Sequence, residues 1–580
     1  MARLASIAAR TWMAAVALLL LGGLVQCVIV ARTTLPCLDS VRLISLAQRF
    51  EASPLSALRT AEEQPLYPAC VAGVRATLRY VRQPRPGDWV LAAQITAGLF
   101  AALSVVPVYL IGFLLAGRTP ALIAGLLWVF LPEAAWLGGY ALADSLHLAL
   151  LAAAMAAALA YLRPVATADR RSHWLLLSGL AAGVAVMARA EVLVLLPVVG
   201  VVVLVSTLPQ LPRRPATGEG SFARAAVSPR RALLHAAVGV AALGIGFALP
   251  VASYMLLAGV NGVPSIAARL LGRPDPAYAA ASRTDESSAE VVKHPLPRLS
   301  DGSPLTLSAK DATQSIRADG AFEAIGRGVE HLGRVYGYWL IPFVVWGALT
   351  WPKRHANGRL TAAEWLPGVF YVAYLVAIVA FILRERYAEP RHFLPLVVAS
   401  IACASVGLGQ AARAIGSLAA RLRPALVRAF TPAQATAILA LLIIALMAPR
   451  TFRSLHISLS PHREAGQWLL ANAPRGARVV DTRGWTGLQT DLPTFSLDHT
   501  PTLLERRGPL FFVVERQEMR IDSPRGASLR HLLQSLGRPV AAFPTRRESD
   551  AGHTEIAVEV YRWAPRDVSR VAAADAIEGR

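Results

Sequence analysis

The sequence predicts an α-helical, polytopic membrane protein with about eleven transmembrane helices, followed by a small C-terminal extracytoplasmic α/β domain. Of its 580 residues, 55% are hydrophobic and only 16% are charged, whereas a soluble domain has roughly 25% charged residues. Long apolar runs recur through the first 450 residues, and inside a bilayer such runs satisfy their backbone hydrogen bonds as helices. The composition turns soluble near Ser454, which predicts the separate C-terminal domain.

The apolar runs define the predicted spans. The first, 13–31, is longer than the apolar core of a cleaved signal sequence and precedes no clean cleavage site, so we interpret it as an uncleaved helix. Ten more runs were selected by the length needed to cross a bilayer, 174–188 being short for it. They are 88–116, 120–136, 140–162, 174–188, 191–208, 232–259, 334–351, 362–383, 391–411 and 433–449.

The arginine distribution predicts the orientation in the membrane. The formal net charge is +21, and the longer loops assigned to the inside are all basic, which is the positive-inside pattern. These loops are 163–173, 209–231, 352–361 and 412–432. The N-terminus is therefore expected in the cytoplasm, with the long loops 32–87 and 260–333 and the C-terminal domain outside. Because basic loops explain much of the charge, no nucleic-acid partner is expected.

Three regions follow from these patterns: a transmembrane domain over 1–450, an α/β domain over 451–565, and a tail over 566–580 that is expected to be disordered. In the second region, short strand-like runs alternate with segments of helical spacing, which is typical of a small α/β domain. This region has neither a G-x-G-x-x-G motif nor a P-loop, so no nucleotide site is expected.

Two acidic residues are the candidate catalytic groups. Asp39 follows the first span by a few residues, where the headgroup of a lipid-linked substrate would lie, and an ionised carboxylate there is suited to general-base catalysis. The alternative is a solvated loop acid. Asp144 lies at the outer end of a span that is otherwise mostly alanine and leucine, where acidic groups are usually functional. The alternative is an acid that stabilises a helix N-terminus.

Basic residues near two outer turns are candidates for binding a substrate phosphate. Arg189 and Glu191 mark the turn between two apolar runs, and a guanidinium is well shaped for a phosphate. They are equally compatible with a simple turn whose arginine extends to the interface. A later cluster of three arginines and a histidine includes Arg386, Arg391 and His392. So many positive charges on the outer side favour an anionic headgroup, with Arg391 the stronger candidate.

The first outer loop ends in a proline-bounded turn that contains Glu63, Gln64 and Tyr67. Its two prolines restrict the backbone, and Tyr67 offers an amphipathic ring, so the turn is expected to contribute to substrate binding. Cys37 and Cys70 flank the same loop, and whether they form a disulfide is left open. No cysteine and histidine cluster indicates a zinc site. The sequence specifies no cofactor and leaves a divalent metal open.

Taken in order, these pieces resemble the membrane glycosyltransferases of the GT-C fold, and most closely the dolichyl-phosphate-mannose-protein mannosyltransferase and aminoarabinose transferase family. The resemblance covers about residues 10–410. It is carried by Asp39, by Gln64-Pro65-Leu66-Tyr67-Pro68 against a motif like H-P-P-L-Y, by Asp144, by Arg189, and by Arg391-His392-Phe393-Leu394-Pro395 against a motif like R-Y-L-L-P. Two positions depart from the family pattern: Ser40 replaces the second acid of an Asp-Glu pair, and Gln64 replaces a common histidine, which weakens any metal role there.

The resemblance implies a multi-pass enzyme of the bacterial plasma (inner) membrane. It would transfer a hexosyl or pentosyl group, with inversion, from a polyprenyl-phosphate donor to an extracytoplasmic lipid, glycan or protein acceptor. Asp39 would act as the base, Asp144 would orient Asp39 or the acceptor, and Arg391 with Arg189 would neutralise the leaving phosphate. Two alternatives remain: a secondary transporter, which internal repeats would support, and a non-catalytic envelope assembly protein.

Overall fold

The structure is a computed structural model of the chain. It describes residues 2–61, 63–163, 172–207, 229–260, 320–354, 360–422, 431–490, 492–504, 508–520, 524–544 and 556–563. The predicted outer loop 260–333 therefore lies largely outside the described residues, as does the predicted tail. The same is true of most of the basic loops on which the predicted orientation rests.

Eighteen helices form the membrane part over the described residues. They are α1 (Ala2–Ala31), α2 (Leu38–Ala52), α3 (Pro54–Thr60), α4 (Leu66–Val81), α5 (Asp88–Leu103), α6 (Val105–Ala116), α7 (Arg118–Phe130), α8 (Pro132–Ala135), α9 (Leu137–Tyr140), α10 (Asp144–Leu162), α11 (Ser172–Val186), α12 (Leu195–Thr207), α13 (Pro229–Ala258), α14 (Ala321–Val335), α15 (Ile341–Thr350), α16 (Ala362–Glu385), α17 (Leu394–Leu422) and α18 (Pro432–Thr451).

Seven helical segments in the described part of the chain are long and apolar enough to cross a membrane. They are Thr11–Ala31, Asp88–Ala116, Asp144–Leu162, Leu233–Ala258, Ala362–Glu385, Pro390–Leu422 and Pro432–Thr451. Four further predicted spans coincide with shorter apolar helices: Arg118–Phe130, Ser172–Val186, Ala190–Ser206 and Ile341–Thr350. The protein is therefore a multi-pass helical membrane protein, and eleven crossings remain a prediction.

Three predicted spans have different helix boundaries in the structure. The run 120–136 divides at Leu131, because Pro132 cannot continue the hydrogen-bonding pattern of α7. The run 334–351 contains the end of α14 at Val335, and the next helix begins only at Ile341, because Gly337 and Tyr338 both adopt left-handed φ values of 59° and 60°. The run 140–162 becomes α10 only at Asp144, because Ala141 is left-handed at φ 55°.

The segment after α1, predicted as the first outer loop, is helical over its described residues and closely attached to the rest of the molecule. Helix α2 is amphipathic and buries Leu43, Ile44 and Leu46. The exit of α1 pairs with the beginning of the C-terminal region, where Thr34 N donates to Leu455 O over 3.2 Å and Leu455 N donates to Arg32 O over 3.3 Å. The loop therefore has a fixed position beside the C-terminal domain.

The C-terminal domain is a five-stranded mixed sheet between helices. Its strands are β1 (Arg478–Asp481), β2 (Thr494–Phe495), β3 (Leu510–Glu515), β4 (Ala541–Pro544) and β5 (Ile556–Trp563). The order is β2-β1-β3-β5-β4, with β1 parallel to β2 and β3, and β5 antiparallel to β3 and β4. The helices of this domain are α19 (Ser460–Asn472), α20 (Thr500–Leu504), α21 (Arg516–Arg520) and α22 (Pro524–Leu536).

Alternation along β3 explains why both faces of this sheet are covered. Phe511 and Val513 pack with Leu469 of α19, whereas Phe512 packs with Leu529 of α22 on the other face. Successive side chains of a strand point to opposite faces, so an uninterrupted apolar strand requires a helix on each side. The observed sheet agrees with the small α/β domain predicted from the sequence.

Candidate active site

The predicted base and the predicted phosphate-binding arginine meet directly. Asp39 lies in the first turn of α2, and its Oδ2 is 2.5 Å from Nη2 of Arg391. The Asp39 side chain is 57% exposed, whereas that of Arg391 is 9% exposed. Arg391 also contacts Glu389, with Nε 2.7 Å from Oε2. The buried guanidinium of Arg391 is thus paired with the partly exposed carboxylate of Asp39.

A short helical turn holds Arg391 in this position. Residues Pro390–Phe393 form a 3₁₀ turn before α17, and Glu389 is its N-cap. The Glu389 carboxylate also accepts a hydrogen bond from the Tyr387 hydroxyl. The carbonyl of His392 accepts a hydrogen bond from the Tyr374 hydroxyl of α16 over 3.0 Å. These contacts restrict the backbone from which the Arg391 side chain extends.

A second cluster joins three other predicted site residues. Arg189 Nη1 donates to Asp144 Oδ1 over 2.6 Å, and Nη2 donates to Glu191 Oε1 over 2.5 Å. Burial lowers the pKa of Arg189, but the carboxylates of Asp144 and Glu191 outweigh this effect and hold its pKa above the usual range. Asp144 is 5% exposed, so its charge is tolerated because a fixed guanidinium neutralises it.

The two clusters form one electrostatic site. Arg391 interacts electrostatically with Asp144 as well as with Asp39 and Glu389. The site therefore contains two arginines, each paired with two carboxylates. Arg391 is paired with Asp39 and Glu389, and Arg189 is paired with Asp144 and Glu191. Within the described parts of the chain, no group of three or more His, Cys, Asp and Glu side chains is arranged to hold a metal ion.

Ser40 has a structural task that explains why an acid is absent there. Its hydroxyl donates to the carbonyl of Tyr140 over 2.6 Å, and Cys37 N donates to the same carbonyl over 3.4 Å. A carboxylate at this buried position has no proton to donate to a carbonyl oxygen. The left-handed conformation of Ala141 follows directly after Tyr140 in the chain.

Cys37 and Cys70 are free thiols in the structure. Burial raises the pKa of the Cys37 thiol to about 11, so this group is protonated at neutral pH. The disulfide that the sequence left open is therefore not formed between them in this structure.

The other predicted site residues make contacts with protein groups or are partly exposed. Tyr67 is fully buried in the core, rather than at an interface, and its hydroxyl donates to Ala93 O over 2.8 Å. Glu63 and Gln64 are partly exposed at the end of the same loop. His392 packs edge-on against Phe381 and interacts electrostatically with Arg189, Arg391, Asp144 and Glu191. Tyr67 therefore has a structural contact in the core, whereas His392 lies among the charged groups of the site. Substrate binding by either residue stays a prediction.

Arg386 ends α16 with a left-handed φ of 56°, and its buried Nη1 has no hydrogen-bond partner. A guanidinium nitrogen without a partner makes Arg386 a stronger phosphate candidate than its surface-like sequence context suggested. Glu389 is the residue that the sequence analysis did not single out. A residue directly before a proline is often a helix N-cap, because proline is favoured at the first helical position. An acidic residue at this position, between Arg386 and Arg391, is the sequence sign that could have identified Glu389.

Comparisons with known proteins agree with this architecture. Residues 83–254 match the family model described as dolichyl-phosphate-mannose-protein mannosyltransferase. No curated protein matches the sequence. The crystal structure of ArnT from Cupriavidus metallidurans bound to undecaprenyl phosphate matches with a TM-score of 0.56 and 14% identity, covering 94% of this chain and 97% of that chain.

The apo structure of the same protein matches with a TM-score of 0.53 and 14% identity, covering 96% of this chain and 98% of that chain. These matches confirm the predicted resemblance: the chain has the GT-C fold, and its residues 83–254 match the dolichyl-phosphate-mannose-protein mannosyltransferase family.

Proposed function

We propose that the protein is an integral-membrane glycosyltransferase that moves a hexosyl or pentosyl group from a polyprenyl-phosphate donor to an extracytoplasmic acceptor, with inversion. The observation that carries the proposal is the contact of a partly exposed carboxylate, Asp39, with a buried guanidinium, Arg391. A base for the acceptor and a cation for the leaving phosphate are thus adjacent. The neighbouring ArnT structure contains undecaprenyl phosphate, a leaving group of the expected class.

The reaction is a single displacement. Asp39 takes the proton of an acceptor hydroxyl or amine while that atom forms a bond to the anomeric carbon. The bond from the anomeric carbon to the phosphate oxygen breaks, and polyprenyl phosphate leaves with the electron pair. Attack from the side opposite the leaving group inverts the anomeric centre. Phosphate needs little protonation as it leaves, so a second carboxylic acid of the kind used by glycoside hydrolases is unnecessary.

Donor binding has to rearrange the ion pair. In the structure Arg391 contacts Asp39 and Glu389, so a donor phosphate competes with these carboxylates for the guanidinium. When the phosphate takes Arg391, the Asp39 carboxylate loses its partner and is available to accept a proton. Arg386, with its unpartnered Nη1, is the proposed second cation for the phosphate.

The second cluster is proposed to position the acceptor. Asp144 and Glu191 are fixed by Arg189, whose bonds to both leave it less free for phosphate than the sequence suggested. Glu63 and Gln64 are proposed to contact the substrate from the end of the first loop. We place the site on the extracytoplasmic side of a bacterial plasma membrane, with the N-terminus in the cytoplasm. The three predicted regions, 1–450, 451–565 and 566–580, are retained as part of this proposal.

The test is transfer of radiolabel from a panel of polyprenyl-phosphate sugars in membranes that contain the wild type, Asp39→Asn or Glu51→Gln. Glu51 is a matched control, because it lies on the same helix in a partly exposed ion pair with Arg79 over 2.6 Å. We expect a new labelled product with wild type and Glu51→Gln but not with Asp39→Asn. Donor binding without transfer for every sugar of the panel would contradict the enzyme assignment and favour the assembly role.

A further inference from the structure

A cavity of about 610 Å³ lies between the first outer loop and the C-terminal domain. On one side it is lined by Val41, Ser45 and Gln48, which share one face of α2 because their spacing matches the helical repeat. The C-terminal domain approaches this face closely. A Cβ at Gly484, whose φ is +81°, would lie 2.9 Å from Val41 Cγ1, so glycine permits the contact.

The other side of the cavity is the carboxyl edge of the parallel strands. Asp481 ends β1 and Phe495 ends β2, and both line the cavity. Ligands of open α/β sheets bind outside the carboxyl ends of parallel strands. The Asp481 carboxylate accepts hydrogen bonds from Arg483 N over 2.9 Å and Thr486 N over 2.7 Å, which fixes the loop that follows β1.

Several buried polar atoms of the lining have no partner in the protein. Arg75 is 5% exposed, and its Nε and Nη1 make no hydrogen bond. The hydroxyls of Thr482 and Thr490 are also buried without a partner. Buried donors are nearly always satisfied in folded proteins, so four such atoms around one cavity point to a ligand with many hydrogen-bonding groups.

The lining also contains aromatic surface and arginines that are mostly neutralised by neighbouring carboxylates. Trp89 and Phe495 line the cavity, and the Arg75 guanidinium lies 5.6 Å from the centre of the Trp89 ring. Arg483 is already neutralised by Glu515 over 2.7 Å and by Glu518. Aromatic faces accept the apolar faces of sugar rings, while hydroxyl, guanidinium and carboxylate groups bond sugar hydroxyls. Arg75 is also paired, with Asp88 over 3.9 Å. Two of the three arginines that line the cavity are therefore neutralised, which favours a saccharide over a polyanion.

We propose that this cavity binds the glycan portion of the acceptor, an assignment that rests on the proposed glycosyltransferase function. Helix α2 separates the cavity from the charged site: Asp39 contacts Arg391, while Gln48 lies on the cavity face about 13 Å further along the helix axis. A saccharide held here is within a few sugar units of the base. The volume falls within the roughly 300–1,000 Å³ usual for ligand pockets.

The test measures saccharide binding to the full-length protein in nanodiscs by isothermal titration calorimetry. The probes are neutral di- and trisaccharides of glucose, mannose and N-acetylglucosamine. Ser45→Phe adds an aromatic ring to the cavity from an exposed position of α2. Arg75→Gln removes the guanidinium whose Nε and Nη1 have no hydrogen-bond partner, together with its 3.9 Å ion pair to Asp88. Arg49→Gln, on an exposed position of the same helix outside the lining, is the matched control. Undecaprenyl phosphate and inorganic phosphate are titrated separately into the same samples.

We expect at least one saccharide to bind the wild type and Arg49→Gln equally, and to bind Ser45→Phe and Arg75→Gln at least tenfold more weakly. Undecaprenyl phosphate should bind Ser45→Phe as it binds the wild type. Failure of every saccharide to bind, unchanged affinity in Ser45→Phe, or binding of inorganic phosphate alone would overturn the assignment. Saccharide binding without undecaprenyl phosphate binding would instead refute the proposed donor and leave the cavity assignment standing.

Discussion

Replacing Asp39 with asparagine is expected to strengthen the binding of polyprenyl phosphate while removing sugar transfer. In the ligand-free structure, the Asp39 carboxylate occupies Arg391 Nη2 at 2.5 Å. A donor phosphate has to displace this carboxylate, and the two anions repel each other after the displacement. Asparagine removes the negative charge at nearly constant volume. The side chain at position 39 then competes less strongly with the donor phosphate for Arg391, and it can no longer act as a general base.

The magnitudes follow from the exposure of the pair. The Asp39 side chain is 57% exposed, and partly exposed ion pairs contribute about 0.2–1 kcal/mol. Because 1.4 kcal/mol corresponds to a factor of ten, the affinity for undecaprenyl phosphate should rise up to about fivefold. Loss of a general base lowers the rate of transfer about 10²- to 10⁴-fold. In contrast, Arg391→Gln should weaken phosphate binding about 10- to 100-fold, as expected for a lost charge-assisted bond.

Binding is measured by titrating undecaprenyl phosphate into purified protein in nanodiscs, and transfer by release of label from the donor identified in membranes. Glu51→Gln controls for the loss of one carboxylate from α2, because its ion pair with Arg79 lies at the other end of the helix. It should change neither quantity. Weaker phosphate binding by Asp39→Asn, or transfer within threefold of the wild-type rate, would refute the competition between base and leaving group.

Three further substitutions test the framework of the site by thermal unfolding of the purified protein. Arg189→Gln removes the cation that is hydrogen-bonded to the buried Asp144 and the partly exposed Glu191, so stability should fall by about 3 kcal/mol; an unchanged unfolding temperature would contradict the role of this cluster. Ser40→Asp replaces the bond to Tyr140 O by repulsion and should cost about 1–3 kcal/mol, more than Ser40→Ala. Ala141→Gly relieves a left-handed alanine and should raise stability by about 1 kcal/mol, and a decrease would argue against strain there.

The sequence was sufficient to predict a multi-pass helical membrane protein, and it named Asp39 and Arg391 as separate candidates for one substrate site. The structure shows that the two side chains are in contact, and their roles stay predictions. Apolar length identifies helices directly, because a bilayer leaves few other structures for such runs. The order of the acidic and basic pieces along the chain matched a known fold, and that fold brings residues 352 positions apart within hydrogen-bonding distance. The residues that neighbour Asp39 or Arg391 in the chain give no sign that these two side chains are in contact.

Other features depended on tertiary contacts that no local pattern encodes. The bond from Arg189 to Asp144 joins the segment after α11 to the first turn of α10, 45 positions apart, so each residue appeared as a separate candidate. Tyr67 appeared suited to an interface because a proline-bounded turn is compatible with either a buried or an exposed ring. The late start of α10 was missed because an alanine in the left-handed region has no compositional sign, unlike glycine.

One backbone turn connects the positions of both candidate acids. The carbonyl of Tyr140 accepts hydrogen bonds from Ser40 and from Cys37 N, and these bonds fix the start of α2 where Asp39 lies. Three residues after the left-handed Ala141, the same segment begins α10 with Asp144. A shift of this turn therefore moves Asp39 and Asp144 together with respect to Arg391. A glutamate carboxylate at position 40, as in the Asp-Glu pair of the family pattern, could not donate a hydrogen bond to the Tyr140 carbonyl. The Ser40 hydroxyl does donate this bond, and it thereby links the segment that carries Asp39 to the turn that precedes Asp144.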